Sequence, residues 1–186
     1  MELVDVSDTW TDEANPTQNR GNDTTVSVYP VTNKRHRSLL QFDLSQIPAG
    51  ACVGSATLQL TLVSVGTSSR TYGVYRVTQS WTEGNGLNNS GATWATRNGV
   101  TPWTAPGGDA VTTATAVAAT GITAGATLQW DVTADVAAFI ADAVPNEGWL
   151  LKDANEGTGT QFRFASREGS PSPSVPHLEL AFTTCP

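Results

Sequence analysis

Between Ala56 and Val65 the chain reads ATLQLTLVSV, and its apolar residues fall on every second position. Leu58, Leu60 and Leu62 share one face, and Thr57, Gln59 and Thr61 share the other. A period of two is the mark of a strand with one buried and one wet face, and no helix satisfies it. The segment before it alternates too: Leu40, Phe42 and Leu44 oppose Leu39, Gln41 and Asp43. Ile47-Pro48-Ala49-Gly50 lies between them, with Pro fixing φ and Gly allowing positive φ. The stretch reads as two strands and their connection, a hairpin-like frame whose inner face builds a core and whose outer face carries Arg37 and Gln41.

Further short runs of the same kind fall at 3–6, 25–31, 36–43, 71–77, 127–132, 149–152, 161–166 and 177–182. Most are separated by Gly, Pro, Asn or Ser, which predicts an all-β sandwich or barrel. A parallel α/β sheet needs helices between its strands, and these are missing. One helix is expected within Asp131–Val144, capped by Asp131 or Thr133, with an apolar stripe of Val136, Phe139, Ile140 and Val144 and a stop at Pro145. Residues 85–126 are rich in Gly, Asn, Thr and Ala, which predicts long loops with one or two weak strands, a length often associated with function.

The chain has 186 residues, enough for one domain with its own core. No apolar run approaches the roughly 20 residues a membrane-spanning helix requires. Met1-Glu2-Leu3-Val4-Asp5 does not read as a signal peptide, so either the chain is cytosolic or residues 1–186 are a module excised from a larger protein; the immediate entry into a strand and the abrupt Thr183-Thr184-Cys185-Pro186 end favour excision. The net charge of -7 disfavours nucleic acid and anionic membranes as partners. Of the two cysteines, Cys52 precedes a strand and Cys185 ends the chain. Either they form a bridge that ties the C-terminus to an early strand, in an oxidising compartment, or Cys52 is a small buried residue and Cys185 is left over.

Catalytic signals are sparse. No Gly-x-Ser-x-Gly elbow, zinc spacing or phosphate loop is present, and His36 and His177 read as ordinary strand or surface histidines. Asp43, Glu83, Asp109, Asp153 and Glu168 sit at strand ends or in loops, where capping and solvation explain them better than paired acid–base chemistry. No cofactor is required; calcium is the one candidate cation, with Asp8 and Asp109, joined by Asn15 and Asn19, as oxygen donors. Among six tryptophans, Trp130 and Trp149 read as core, and Trp10 and Trp103 as the most exposed, placed to stack on a sugar ring. Arg163 alternates with Phe162 and Phe164 and so faces outward. If their strands are neighbours, Arg37, Arg76, Lys152, Arg163 and Arg167, with Gln41, form one outward face suited to carboxylates; the alternative is dispersed solubilising charge.

Asp8-Thr9-Trp10, Arg37-Ser38-Leu39-Leu40-Gln41-Phe42-Asp43-Leu44, Ser80-Trp81-Thr82-Glu83, Pro106-Gly107-Gly108-Asp109, Gly148-Trp149-Leu150-Leu151-Lys152-Asp153 and Phe164-Ala165-Ser166-Arg167-Glu168, in this order, resemble the DNRLRE domain family. The resemblance implies a jelly-roll β-sandwich of two antiparallel sheets, usually one module of a secreted or cell-surface protein. It also implies kinship with carbohydrate-binding modules for acidic polysaccharides such as alginate. The expected function is therefore non-catalytic binding of an extracellular polysaccharide, with neighbouring domains of the parent chain as further partners. A structural or adhesion module acting through protein contacts is the rival.

Overall fold

The computed structural model describes residues 1–48, 50–169 and 174–185. Its elements in chain order are β1 (Glu2–Leu3), β2 (Val6–Asp12), β3 (Thr25–Val28), β4 (His36–Phe42), β5 (Ala51–Ser64), β6 (Thr71–Arg76), β7 (Ala116–Ala119), β8 (Thr127–Asp131), α1 (Thr133–Ile140), β9 (Trp149–Asp153), β10 (Phe162–Ala165) and β11 (His177–Thr184). Two antiparallel sheets result. One runs β2-β4-β9-β6-β7. The other runs β1-β11-β5-β10-β3, with β8 also paired to β5. The fold is the expected β-sandwich with one short helix.

Period-two alternation fills the space between the sheets. Leu58, Leu60 and Leu62 of β5 meet Leu40 and Phe42 of β4, Trp149 and Leu151 of β9, and Phe162 and Phe164 of β10 in one buried cluster. The helix covers one end through Val136 and Phe139, and it stops at Ile140, short of the expected Val144, because Asp142 turns left-handed at φ 51°. Cys52 and Cys185 are bridged. The bond clips β11 to β5 beside the Thr183–Cys52 register pair.

Three expectations need correction. The 37–62 stretch is not a hairpin. β4 pairs with β2 and β9, while β5 lies in the opposite sheet, so the Pro48–Gly50 turn is a crossover between layers; its Ala49 lies outside the described residues. Strand β2 extends through Asp8-Thr9-Trp10 to Asp12, well past the expected 3–6 run, since Asp8 and Asp12 interrupt the apolar pattern on its inner face. Finally, the face bearing Leu39 is only partly wet. The long loops after β6 fold across it and bury a second cluster of Leu39, Tyr75, Val77, Trp81, Ala92, Trp103 and Leu150.

Candidate ligand groove

The second cluster gives the outer face of the β4–β9–β6 sheet a rigid apolar base. Arg37 on β4 and Leu150 and Lys152 on β9 alternate outward from it, beside Thr78, Gln79 and Thr112 of the overlying loops. Together they line an open groove of about 380 Å³, whose floor includes Leu150. Two glycines let the loop descend to that floor. A Cβ on Gly107 (φ 91°) would come within 2.7 Å of the Trp94 ring, and one on Gly108 (φ 118°) within 3.1 Å of Leu150. Asp109 follows, and its two carboxylate oxygens accept the backbone N–H groups of Thr104 and Ala105 at 2.8 and 2.7 Å.

Arg37 forms one wall and is tightly held. Its Nε and Nη2 donate to the two oxygens of Glu156 at 2.8 and 2.7 Å. Its guanidinium lies 5.0 Å from the centre of the Trp94 ring, which also carries Arg35 at 5.4 Å. Arg35 pairs in turn with Glu13. Lys152 is freer: its Nζ sits 4.5 Å from the Tyr75 ring centre and makes no ion pair within 4.0 Å among the described residues. Burial, and then the nearby Arg37, hold its pKa below the usual lysine range.

The remaining expected site residues are scattered. Gln41 shares the outer face of β4 but donates to the Asn146 carbonyl at 2.7 Å, beside a separate pocket with Asp5, Ser7 and Asp43. Arg76 lies 3.7 Å from Asp135 of the helix. Arg163 belongs to the opposite sheet, where it stacks on Trp10 at 5.8 Å and donates to Thr25 at 3.3 Å. Arg167 bonds Glu83 and Glu168 at 2.7 and 2.8 Å. The five basic residues thus do not form one face; only Arg37 and Lys152 meet in the groove. Trp10 and Trp103, expected to be exposed, are 3% and 4% exposed. Trp103 is sealed under the loops with its Nε1–H on the Thr93 carbonyl, and Trp10 is covered by Arg20 and Arg163, so neither offers a stacking face.

Asp8 is 1% exposed and lies with Glu83 and Glu168, their oxygens within 4.8 Å of one another. Among the described residues, these three carboxylates have a spacing that suits a divalent cation. The Arg167 N–H donates to Asp8 at 2.7 Å, and Glu168 Oε2 is buried without a hydrogen-bond partner. Burial, reinforced by the two neighbouring carboxylates, raises the Asp8 carboxyl to about 8. Asp109 is not in this group, and Asn19 serves another purpose, its side-chain carbonyl accepting from Gly21, Gly86 and Ser90 to staple two loops together.

One further constellation resembles a nucleophilic triad. Ser27 Oγ is 2.9 Å from His36 Nδ1, and His36 Nε2 is 3.6 Å from Asp12. Ser27, however, is fully buried, and Gln161 also donates to its hydroxyl at 2.9 Å. No substrate carbonyl reaches that oxygen in this arrangement. The partly buried His36 is neutral near pH 7, its pKa lowered to about 4 chiefly by desolvation.

Sequence reasoning missed the Arg35–Trp94–Arg37 stack, Glu156 and the threonine rim. The Pro106-Gly107-Gly108 turn was the available signal, because adjacent glycines mark close backbone approach.

No curated protein matches the chain. Residues 1–180 match the model of carbohydrate-binding module family 96. With nearly its whole length covered, and with an open polar groove on a two-sheet sandwich, the chain belongs to carbohydrate-binding module family 96.

Proposed function

We propose that this module binds an extracellular polysaccharide in the Arg37–Lys152 groove and so holds a neighbouring domain against its substrate or surface, without catalysis of its own. The observation that carries the reading is the groove itself. The apolar side chains of Ala105 and Val111 lie among hydrogen-bonding ones on a packed sheet face, an arrangement that suits the apolar and hydroxyl-bearing surfaces of a sugar ring. The bridged Cys52 and Cys185 fit an oxidising, extracellular setting. Affinity electrophoresis through gels containing acidic and neutral polysaccharides tests the reading. Retardation by at least one polymer, weakened in Lys152→Met, is expected; migration unaffected by every polymer would remove it.

The rival function, assembly through protein contacts, draws on Val117 of the edge strand β7 and on nearby Ile122, which are 59% and 56% exposed. Concentration-dependent self-association, abolished by Val117→Lys, would favour it.

A further inference from the structure

We propose that the groove takes an uncharged stretch of glycan, and that Glu156 sets this preference by neutralising Arg37. This inference rests on the polysaccharide-binding reading above and narrows it.

The charges on the groove decide the matter. Arg37 and Lys152 bring two positive charges to the wall, and Asp109 brings one negative charge. Glu156, bonded to Arg37 through both oxygens, brings a second negative charge. The four sum to zero, and the Arg35–Glu13 pair behind them adds nothing. Arg37 cannot be borrowed by a ligand. Its side chain is 11% exposed, with Glu156 on one edge, the Trp94 ring against its plane and Gly107 close to Nη1. The bidentate edge that would grip a sugar carboxylate already holds a protein carboxylate.

What remains available is the Lys152 ammonium, the Gln79 amide, the Thr112 hydroxyl and the small apolar side chains of Ala105 and Val111. An ammonium offers three donors, which hydroxyl and ring oxygens can accept; a carboxylate accepts them more strongly, but one ammonium answers only one carboxylate. A polyuronate brings a carboxylate on every sugar. Beyond the one that Lys152 can answer, they would meet a wall of no net charge on a protein of net charge -7. Building such a mismatch into a site is one way a protein rejects a competing ligand.

The test compares neutral polymers (laminarin, galactomannan) with polyuronates (alginate, polygalacturonate) by affinity electrophoresis and calorimetry at low and moderate salt. Wild-type protein should bind a neutral polymer more tightly than either polyuronate. Its Kd should change less than about twofold over a roughly tenfold range of salt, since few counterions are released. Lys152→Met should weaken neutral-polymer binding by about tenfold or more, the typical effect of losing a charged hydrogen-bond donor. Glu156→Gln, checked as folded by thermal melting, should gain polyuronate retention that added salt removes. Wild-type preference for a polyuronate, with affinity falling tenfold or more as salt rises, would overturn the inference while leaving the polysaccharide reading intact. A folded Glu156→Gln protein with unchanged polymer preference would overturn the role given to Glu156. Failure to bind any polymer would instead remove the underlying reading, and the inference with it.

Discussion

Replacing Asp8 by Asn probes an energetic cost that the fold imposes on itself. Asp8 lies on the inner face of β2, is almost fully buried and neighbours Glu83 and Glu168; together these raise its carboxyl from 3.8 to about 8. A carboxyl whose folded pKa exceeds its unfolded value contributes stability that is complete below the unfolded pKa and is lost as pH rises toward the folded one, at about 1.4 kcal/mol per pH unit. His36 acts in the opposite sense. Its folded pKa of about 4 lies below the unfolded 6.5, so its contribution is present above 6.5 and is lost as pH falls. Between about 4 and 6.5 the two slopes oppose each other and stability stays nearly level. Above 6.5 the His36 slope no longer opposes that of Asp8, whose contribution should fall by about 2 kcal/mol by pH 8. For a domain of this size that corresponds to about 4–8 °C in Tm. Asp8→Asn keeps a side-chain carbonyl for the Arg167 N–H but cannot ionise. Its melting temperature should stay level from pH 6.5 to 8 and exceed that of the wild type at pH 8. Scanning calorimetry at pH 6.5 and 8 measures both. An equal decline in the two proteins, or a wild type that becomes more stable at pH 8, would refute the reasoning. The same experiment with calcium and with chelator separates a proton from a cation. A divalent ion among Asp8, Glu83 and Glu168 would hold all three ionised, raise Tm at pH 8, and lose that effect in the variant.

Other consequences are open to direct measurement. Cys52→Ser releases a closure spanning 133 residues of sequence, and denaturant unfolding should show a loss of about 4–5 kcal/mol in the chain-entropy model; a loss below about 1 kcal/mol would mean that the β11–β5 ladder alone holds the C-terminus. Trp103→Ala should lower stability by about 3–5 kcal/mol and weaken polymer binding, because the cluster it empties supports the groove floor. Gly108→Ala places a side chain at φ 118° against Leu150, so it should destabilise the protein by at least about 1 kcal/mol and disturb binding more than Gly125→Ala, which is strained likewise at φ 85° but whose added Cβ meets nothing within 4 Å.

Much of the sandwich was legible in the sequence because its signal is local. Leu58-Leu60-Leu62 and Phe162-Phe164 declare their inner faces without reference to the rest of the chain, and each enters the core as alternation requires. Topology was less legible. Nothing in Pro48–Gly50 says whether the strands it joins share a sheet, and the pairing of β4 with β2 and β9 rests on side chains far apart in sequence. Trp10 and Trp103 failed for a related reason: Trp103 looks exposed until the loops that seal it are placed, and Trp10 until β2 is seen to run through it and into the core.

The site was harder still, because its character depends on charges that cancel across the fold. Arg37 reads in isolation as a ligand-gripping residue on an outward strand face, and alternation places it there correctly. Its partner Glu156 is 119 residues away, in the turn after β9, and no spacing rule connects them. Arg76 and Arg167 follow the same course, answered by Asp135, and by Glu83 and Glu168. A count of basic residues on predicted outer faces therefore overstates the positive field available to a ligand. Lys152 is the instructive exception. It shares the groove with Arg37 yet has no ion-pair partner within 4.0 Å among the described residues, and its Nζ sits 4.5 Å from the centre of the Tyr75 ring. In a protein whose charged residues are only 15% of the chain, an ammonium with no ion pair within 4.0 Å among the described residues is where the proposed contact with a sugar is placed.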